Sequence, residues 1–227
     1  MEPRNAEYYY NRGMEFMEKK DYMEAQQNFQ IVVDSYSGSE YVDSAQYMLA
    51  ETYYMNEDYI TAAFEYERVF EDYPSSLHVA EAMFKRAVCY FEESPKASLD
   101  QENTNLAIDD FNRFIDTYPR HELVPQAQEY IDELREKLAY KEFNNAEIYR
   151  KLKKYDAAII YYRLVITDYP RTTWANEARF GIGLVYLKQS QYERAREQFQ
   201  MLVNADLSEN LKNRAEERLS YIENRTQ

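Results

Sequence analysis

Small residues at five positions, Gly13, Ala50, Ala87, Ala146 and Gly183, are each followed three residues later by an aromatic: Phe16, Tyr53, Tyr90, Tyr149 and Tyr186. Around four of these anchors the pattern continues. A tyrosine stands nine residues on (Tyr22, Tyr59, Tyr155, Tyr192), an alanine twelve on (Ala25, Ala62, Ala158, Ala195) and an aromatic sixteen on (Phe29, Tyr66, Tyr162, Phe199). Around Ala87 the second half survives in displaced form as Ala107, Phe111 and Phe114. A small residue three or four positions from an aromatic puts both on one helical face, and the small one admits a neighbouring helix closely. Each unit therefore reads as two antiparallel helices. Three units close on Tyr-Pro (Tyr73-Pro74, Tyr118-Pro119, Tyr169-Pro170) and the first on Tyr36-Ser37; proline ends one helix and suits the approach to the next.

Composition agrees with an all-helical chain. Four glycines and six prolines in 227 residues are too few for a sandwich or barrel, which needs a turn signal about every 8–12 residues. The longest apolar run, Ala157 to Tyr162, stops at Arg163, far short of the roughly 18 uncharged residues of a membrane-spanning helix. With 41 acidic against 27 basic side chains, a formal charge of −14, a broad footprint for nucleic acid phosphates is excluded. One cysteine, Cys89, leaves the redox compartment open. The start, Met1-Glu2-Pro3-Arg4, has no apolar segment of the export type, so an export signal is either absent or already removed.

These spacings resemble the tetratricopeptide repeat, a unit of about 34 residues with small, aromatic, alanine and terminal proline positions in this order. The resemblance implies an all-α right-handed superhelix, an α-solenoid of five helical hairpins plus a C-terminal capping helix. The expected domain is a single solenoid over 1–227, with units near 5–37, 38–74, 75–119, 120–170 and 171–207 and a cap over 208–227. The anchors are 37, 37, 59 and 37 residues apart. Part of the excess is a hairpin insertion at 93–104. The rest extends a glycine- and proline-free run from Pro125 to Leu152 by 14 residues, about four turns or roughly 21 Å, which keeps its apolar face in phase. Leu211, Ala215, Leu219 and Ile222 give the last segment one apolar face, as a solenoid needs at its open end.

A narrower resemblance is to the BamD family, the tetratricopeptide lipoproteins of the bacterial outer-membrane β-barrel assembly machinery. It is carried by Asp100-Gln101 with Thr104, Ala107 and Phe111. Leu138, Glu142, Ala146 and Tyr149, followed by Tyr155, Ala158 and Arg163, carry it further, as do Tyr169-Pro170 with Thr172 and Ala175. The resemblance implies a non-catalytic scaffold at the periplasmic face of the outer membrane. Its N-terminal groove would bind unfolded β-barrel proteins, whose C-terminal segments end in aromatics, and its later units would dock on the periplasmic domains of the barrel (BamA-like) subunit. The family's lipidated N-terminal cysteine has no counterpart here, Cys89 lying mid-helix, so the signal peptide and anchor are expected to be missing from this sequence. The alternative is another periplasmic or cytosolic tetratricopeptide adaptor. Chaperone adaptors of this fold grip a terminal carboxylate with Lys and Asn, and the equivalent positions here are Tyr, Met and Glu.

By the same resemblance the positions three before, one after and four after each anchor face the groove. They are Tyr10, Met14 and Met17; Tyr47, Glu51 and Tyr54; Phe84, Val88 and Phe91; Phe143, Glu147 and Arg150; Phe180, Leu184 and Leu187. Tyr10, Met14, Met17, Tyr47, Tyr54, Phe84 and Phe91 are the expected substrate-binding set. The stripe is either exposed as a peptide groove or sealed by tight packing between first helices, and both readings are open at this level. Residues 1–110 carry a net charge of −15 and residues 111–227 of +1. The basic cluster Arg150, Lys151, Lys153 and Lys154 is either a set of cations favoured at a helix C-terminus or a docking point for an acidic partner.

Catalysis has little support. His78 and His121 lie in different junctions without a ligand partner at i, i+4 and read as solvated. No glycine-rich phosphate loop is present, Glu92-Glu93 and Asp109-Asp110 read as solvated faces, and Cys89 reads as a small buried hydrophobe. No enzyme activity, no cofactor and no metal are expected.

Overall fold

The computed structural model describes residues 5–226; Met1–Arg4 and Gln227, the two ends of the expected domain, lie outside the described residues. Among the described residues the chain is eleven α-helices without a strand: α1 Ala6–Glu18, α2 Tyr22–Ser35, α3 Val42–Met55, α4 Tyr59–Asp72, α5 Val79–Glu92, α6 Glu102–Thr117, α7 Val124–Lys151, α8 Tyr155–Asp168, α9 Thr173–Lys188, α10 Tyr192–Val203 and α11 Glu209–Thr226.

The repeat acts through local chemistry that recurs at fixed offsets. Seven residues after four of the anchors stand Lys20, Glu57, Lys153 and Ser190, each with φ near +60°. This left-handed residue reverses the chain between the two helices of a hairpin. In the first two hairpins the next residue is an aspartate cap: Asp21 accepts from the Glu24 N–H at 3.5 Å and Asp58 from the Thr61 N–H at 3.2 Å, satisfying a donor that has no partner within the helix. The second helices stop alike on Tyr36, Tyr73, Tyr118 and Tyr169, whose N–H groups bond back to Val32, Val69, Phe114 and Val165. Proline after three of these tyrosines disfavours helical φ/ψ at the tyrosine itself. The segment between α5 and α6, residues 93–101, is tied to α6: Ser94 Oγ meets Thr104 Oγ1 at 2.5 Å and Thr104 Oγ1 donates to Gln101 Oε1 at 2.8 Å. Asp100 Oδ1 accepts the Glu102 N–H at 2.9 Å where α6 begins.

The chain divides into two compact units, one holding residues through Pro95 with Leu99–Leu134, the other Lys96–Ser98 with the chain from Arg135 onward. In the first, Phe29 and Leu49 centre a cluster of α1–α3, Tyr66 and Val69 a second of α3–α5, and Phe111, Phe114, Ile131 and Leu134 a third where α5, α6 and the start of α7 meet. In the second, Tyr162, Val165, Phe199 and Leu202 pack with Phe180 and Ile182 of α9. Leu211, Ala215 and Ile222 turn α11 onto that core. Arg214 latches it, with two hydrogen bonds of 2.7 and 3.0 Å to Glu177 of α9 and its guanidinium 4.4 Å from the Phe180 ring centroid.

The helices meet closely at the anchor glycines. A β-carbon at Gly183 would lie 2.6 Å from the buried Phe199 ring, and one at Gly13 as near to Phe29. The aromatic sixteen residues on fills the space that the missing side chain leaves.

Candidate interaction surface

The first helices of the N-terminal unit, α1, α3 and α5, carry the expected substrate-binding set, and the structure divides it. Tyr47 and Phe84 are buried, at 7% and 4% exposure. This corrects the expectation that they face a ligand. His78 stacks on Tyr47 at 4.6 Å and Tyr66 packs beside it at 5.8 Å; Phe111, Phe114 and Tyr130 enclose Phe84 at 5.5–6.2 Å. Rings at this position bury more apolar area against the neighbouring second helix than a solvated face would allow.

Tyr10, Met14, Met17, Tyr54 and Phe91 stay half-buried, in two patches. Tyr10, Met14 and Met17 lie on the α1–α3 cluster. Tyr54 of α3 and Phe91 of α5 lie on the cluster of α5, α6 and α7. Phe91 leans on Tyr130 at 4.5 Å, Tyr54 sits edge-on to Tyr59 at 5.4 Å, and the Lys85 ammonium lies 4.8 Å from the Tyr54 ring centroid. Burial first and the Glu92 carboxylate second push the Tyr54 hydroxyl up to about 12.

Beneath these rings runs a polar framework that reading by periodicity missed. Glu51, one residue after its anchor and 8% exposed, accepts a hydrogen bond from the Tyr66 hydroxyl and pairs with Lys85 Nζ at 3.2 Å. Burial and this carboxylate raise the Tyr66 hydroxyl far above its ordinary range, so it is a fixed donor. The fourth hairpin repeats the arrangement: Tyr162 donates to Glu147, which Arg150 grips through Nε at 2.9 Å and Nη2 at 2.6 Å. The signal was present in the sequence. Where the residue after the anchor is Glu, the aromatic sixteen after the anchor is Tyr; where it is Met14 or Leu184, the aromatic is Phe29 or Phe199. A second framework is centred on Arg86, whose Nη1 lies 3.1 Å from Glu67 and whose Nε faces Asp110 Oδ2 at 3.3 Å, out of line for a hydrogen bond. Its guanidinium also covers Phe70 and Tyr90.

Of the basic cluster, Lys151, Lys153 and Lys154 are exposed, whereas Arg150 is half-buried and held by Glu147. The guanidinium fork meets that carboxylate with two hydrogen bonds within the same helix. Burial works against the Glu147 charge, but the hydrogen bonds from Arg150 and Tyr162 hold its carboxyl below the usual range. A carboxyl lowered in the folded state stabilises fully above its unfolded pKa of about 4.3, and the stabilisation is lost as pH falls through the folded value. The melting-temperature gap between the natural chain and Glu147→Gln is therefore expected to be widest near neutrality and to close below about pH 4. A gap that stays constant across that range removes this assignment.

The histidines depart from their expected solvation. His78 Nε2 shares a hydrogen bond of 3.2 Å with Ser44 Oγ while its ring stacks on Tyr47, and His121 Nδ1 accepts the Leu123 N–H at 3.2 Å beside Phe114. Both close helix junctions. Cys89 is fully buried, and burial pushes its thiol up, which leaves little nucleophilic thiolate. Among the described residues no cluster of His, Cys, Asp and Glu could hold a metal ion, and no helix is long and apolar enough to cross a membrane.

A family model, YfiO, described as outer membrane lipoprotein, matches residues 3–201. The chain belongs to the YfiO family of outer membrane lipoproteins. Two curated relatives carry the name outer membrane protein assembly factor BamD. The Caulobacter vibrioides protein is 27% identical over 186 residues, which are 82% of this chain and 61% of that protein. The Rickettsia prowazekii protein is 25% identical over 187 residues, 82% of this chain and 74% of that one. The chain thus spans about 61% of the length of the Caulobacter relative. Among solved structures, the TPR2AB domain of yeast Sti1, in complex with pHSP90, superposes with a TM-score of 0.54 over 97% of this chain and 84% of that one, at 11% identity. That likeness concerns the fold alone. This member of the YfiO family is an all-α tetratricopeptide-repeat solenoid.

Proposed function

We propose that this chain is a non-catalytic scaffold of outer-membrane β-barrel protein assembly, held at the periplasmic face of the outer membrane by a lipid anchor outside the given sequence. The observation that carries the reading is the family match over residues 3–201, joined by two relatives named as assembly factors. Helical-repeat solenoids of this kind offer extended concave surfaces suited to binding. In this reading the half-buried Tyr10, Met14, Met17, Tyr54 and Phe91 contact unfolded barrel proteins, and Tyr47 and Phe84 hold that face rigid from beneath. Lys151, Lys153 and Lys154 dock on acidic surface of the barrel subunit's periplasmic domains, with Arg150 fixing the end of α7. Partly exposed aromatics on a rigid frame suit an extended ligand, which pays ordering entropy on binding and so is held with modest affinity.

A labelled peptide from the last strand of an outer-membrane barrel, ending in phenylalanine, tests the reading by fluorescence anisotropy. Tyr54→Ala and Phe91→Ala are each expected to weaken it about tenfold, a loss common for a central aromatic at an interface. Titrations indistinguishable from the natural chain would remove the substrate-face assignment.

A further inference from the structure

We infer, resting on the reading just given, that the patch of Tyr54 and Phe91 takes a polypeptide segment that sets a lysine or arginine beside its aromatic side chains, and disfavours a free terminal carboxylate there. The argument is one of charge complementarity on an apolar surface. Helices α3 and α5 carry the acids Asp43, Glu51, Glu81 and Glu92 and the bases Lys85 and Arg86. Both bases are committed. Lys85, the cation at the patch, is 3.2 Å from buried Glu51 and already covers the Tyr54 ring; Arg86 holds Glu67 and Asp110.

The two remaining acids of α5, Glu81 and Glu92, are exposed, and Glu92 directly follows Phe91. Its carboxylate acts on the Tyr54 hydroxyl, second to burial among the influences that raise it. A ligand carboxylate brought onto Tyr54 and Phe91 therefore meets Glu92 and finds Lys85 already neutralised. Recruiting Lys85 would strand Glu51 in a largely buried site without its cation, with neutral hydroxyl donors alone to hold its charge. A ligand ammonium or guanidinium meets the opposite situation: the solvated carboxylate of Glu92 at hand and the half-buried side chain of Phe91 for its stem.

The experiment uses the full chain and one peptide sequence ending in phenylalanine, prepared as the free acid and as the C-terminal amide, each with lysine or with glutamate two residues before the end. At low salt the amide is expected to bind about three- to tenfold more tightly than the acid, and the lysine form more tightly than the glutamate form by a similar factor, as expected for unit charges a few ångströms apart in a wet site. Both differences should shrink in Glu92→Gln and at about 0.5 M salt, where the Debye length falls to roughly 4 Å. An acid that binds as tightly as the amide, or more tightly, overturns the inference. If it does so while Tyr54→Ala still weakens every peptide, the substrate-face reading stands without it. If none of the peptides binds, both fall.

Discussion

Replacing Arg86 by alanine is expected to lower the unfolding free energy by about 3 kcal/mol, the low end of the range for breaking a buried ion pair. The side chains of Arg86 and Asp110 are only 14% and 15% exposed, and the arginine joins three helices, taking Glu67 from α4 and Asp110 from α6 onto α5. Burial already holds the Asp110 carboxyl above its ordinary range, with Arg86 the chief opposing influence. Without the guanidinium that largely buried carboxylate is left with the lesser influence of Arg113, and Phe70 and Tyr90 lose the guanidinium that lies over their rings. Arg86→Met keeps much of the stem, and Arg86→Met with Asp110→Leu also removes the orphaned charge. The double variant is expected to recover at least half of the loss, since well-packed apolar groups often replace a buried pair without penalty. Urea unfolding followed by circular dichroism measures all three. A cost below about 1 kcal/mol for Arg86→Ala, the range of exposed pairs, would mean the framework is solvated and contributes little.

Tyr66→Phe is expected to cost about 2 kcal/mol, because the largely buried Glu51 carboxylate loses the hydroxyl donor that Tyr66 supplies. Glu51→Leu is expected to cost a similar amount by leaving the Tyr66 hydroxyl buried without an acceptor. The pair together should restore most of the stability, with a coupling of about 2 kcal/mol across the cycle. The chain itself supplies the reason. The first and fifth hairpins fill the same two positions with Met14 and Phe29, and with Leu184 and Phe199, all within apolar clusters. The four hairpins that keep both positions hold either an apolar pair or a hydrogen-bonded pair. Additive single losses would show that Glu51 and Tyr66 act independently and that the match between these positions along the chain is accidental.

Much of the architecture was legible because the relevant forces act within one hairpin. Anchor spacing located the helices, and Tyr-Pro marked where second helices end. The fourteen extra residues before Leu152 led to a long helix, α7, which runs for 28 residues. The candidate surface was legible only in part. The resemblance put Tyr47 and Phe84, three before their anchors, and Tyr54 and Phe91, four after them, on one groove face, yet the first two are sealed and the other two remain half-buried. The rings that seal Tyr47 and Phe84, namely His78, Phe111, Phe114 and Tyr130, come from other helices and a junction. The surroundings of Arg150 were not legible for a related reason: a basic run gives no sign of which member pairs with Glu147 within the fold.

The amino-acid sequence by itself determined that this chain is helical, hairpin by hairpin, since helical spacing, caps and left-handed turns are decided by neighbours a few residues away. Only the tertiary structure decided which aromatic rings remain within reach of a partner and which cations are still available to one. Exposure and charge pairing depend on what distant segments bring to the same place, and no local pattern carries that information.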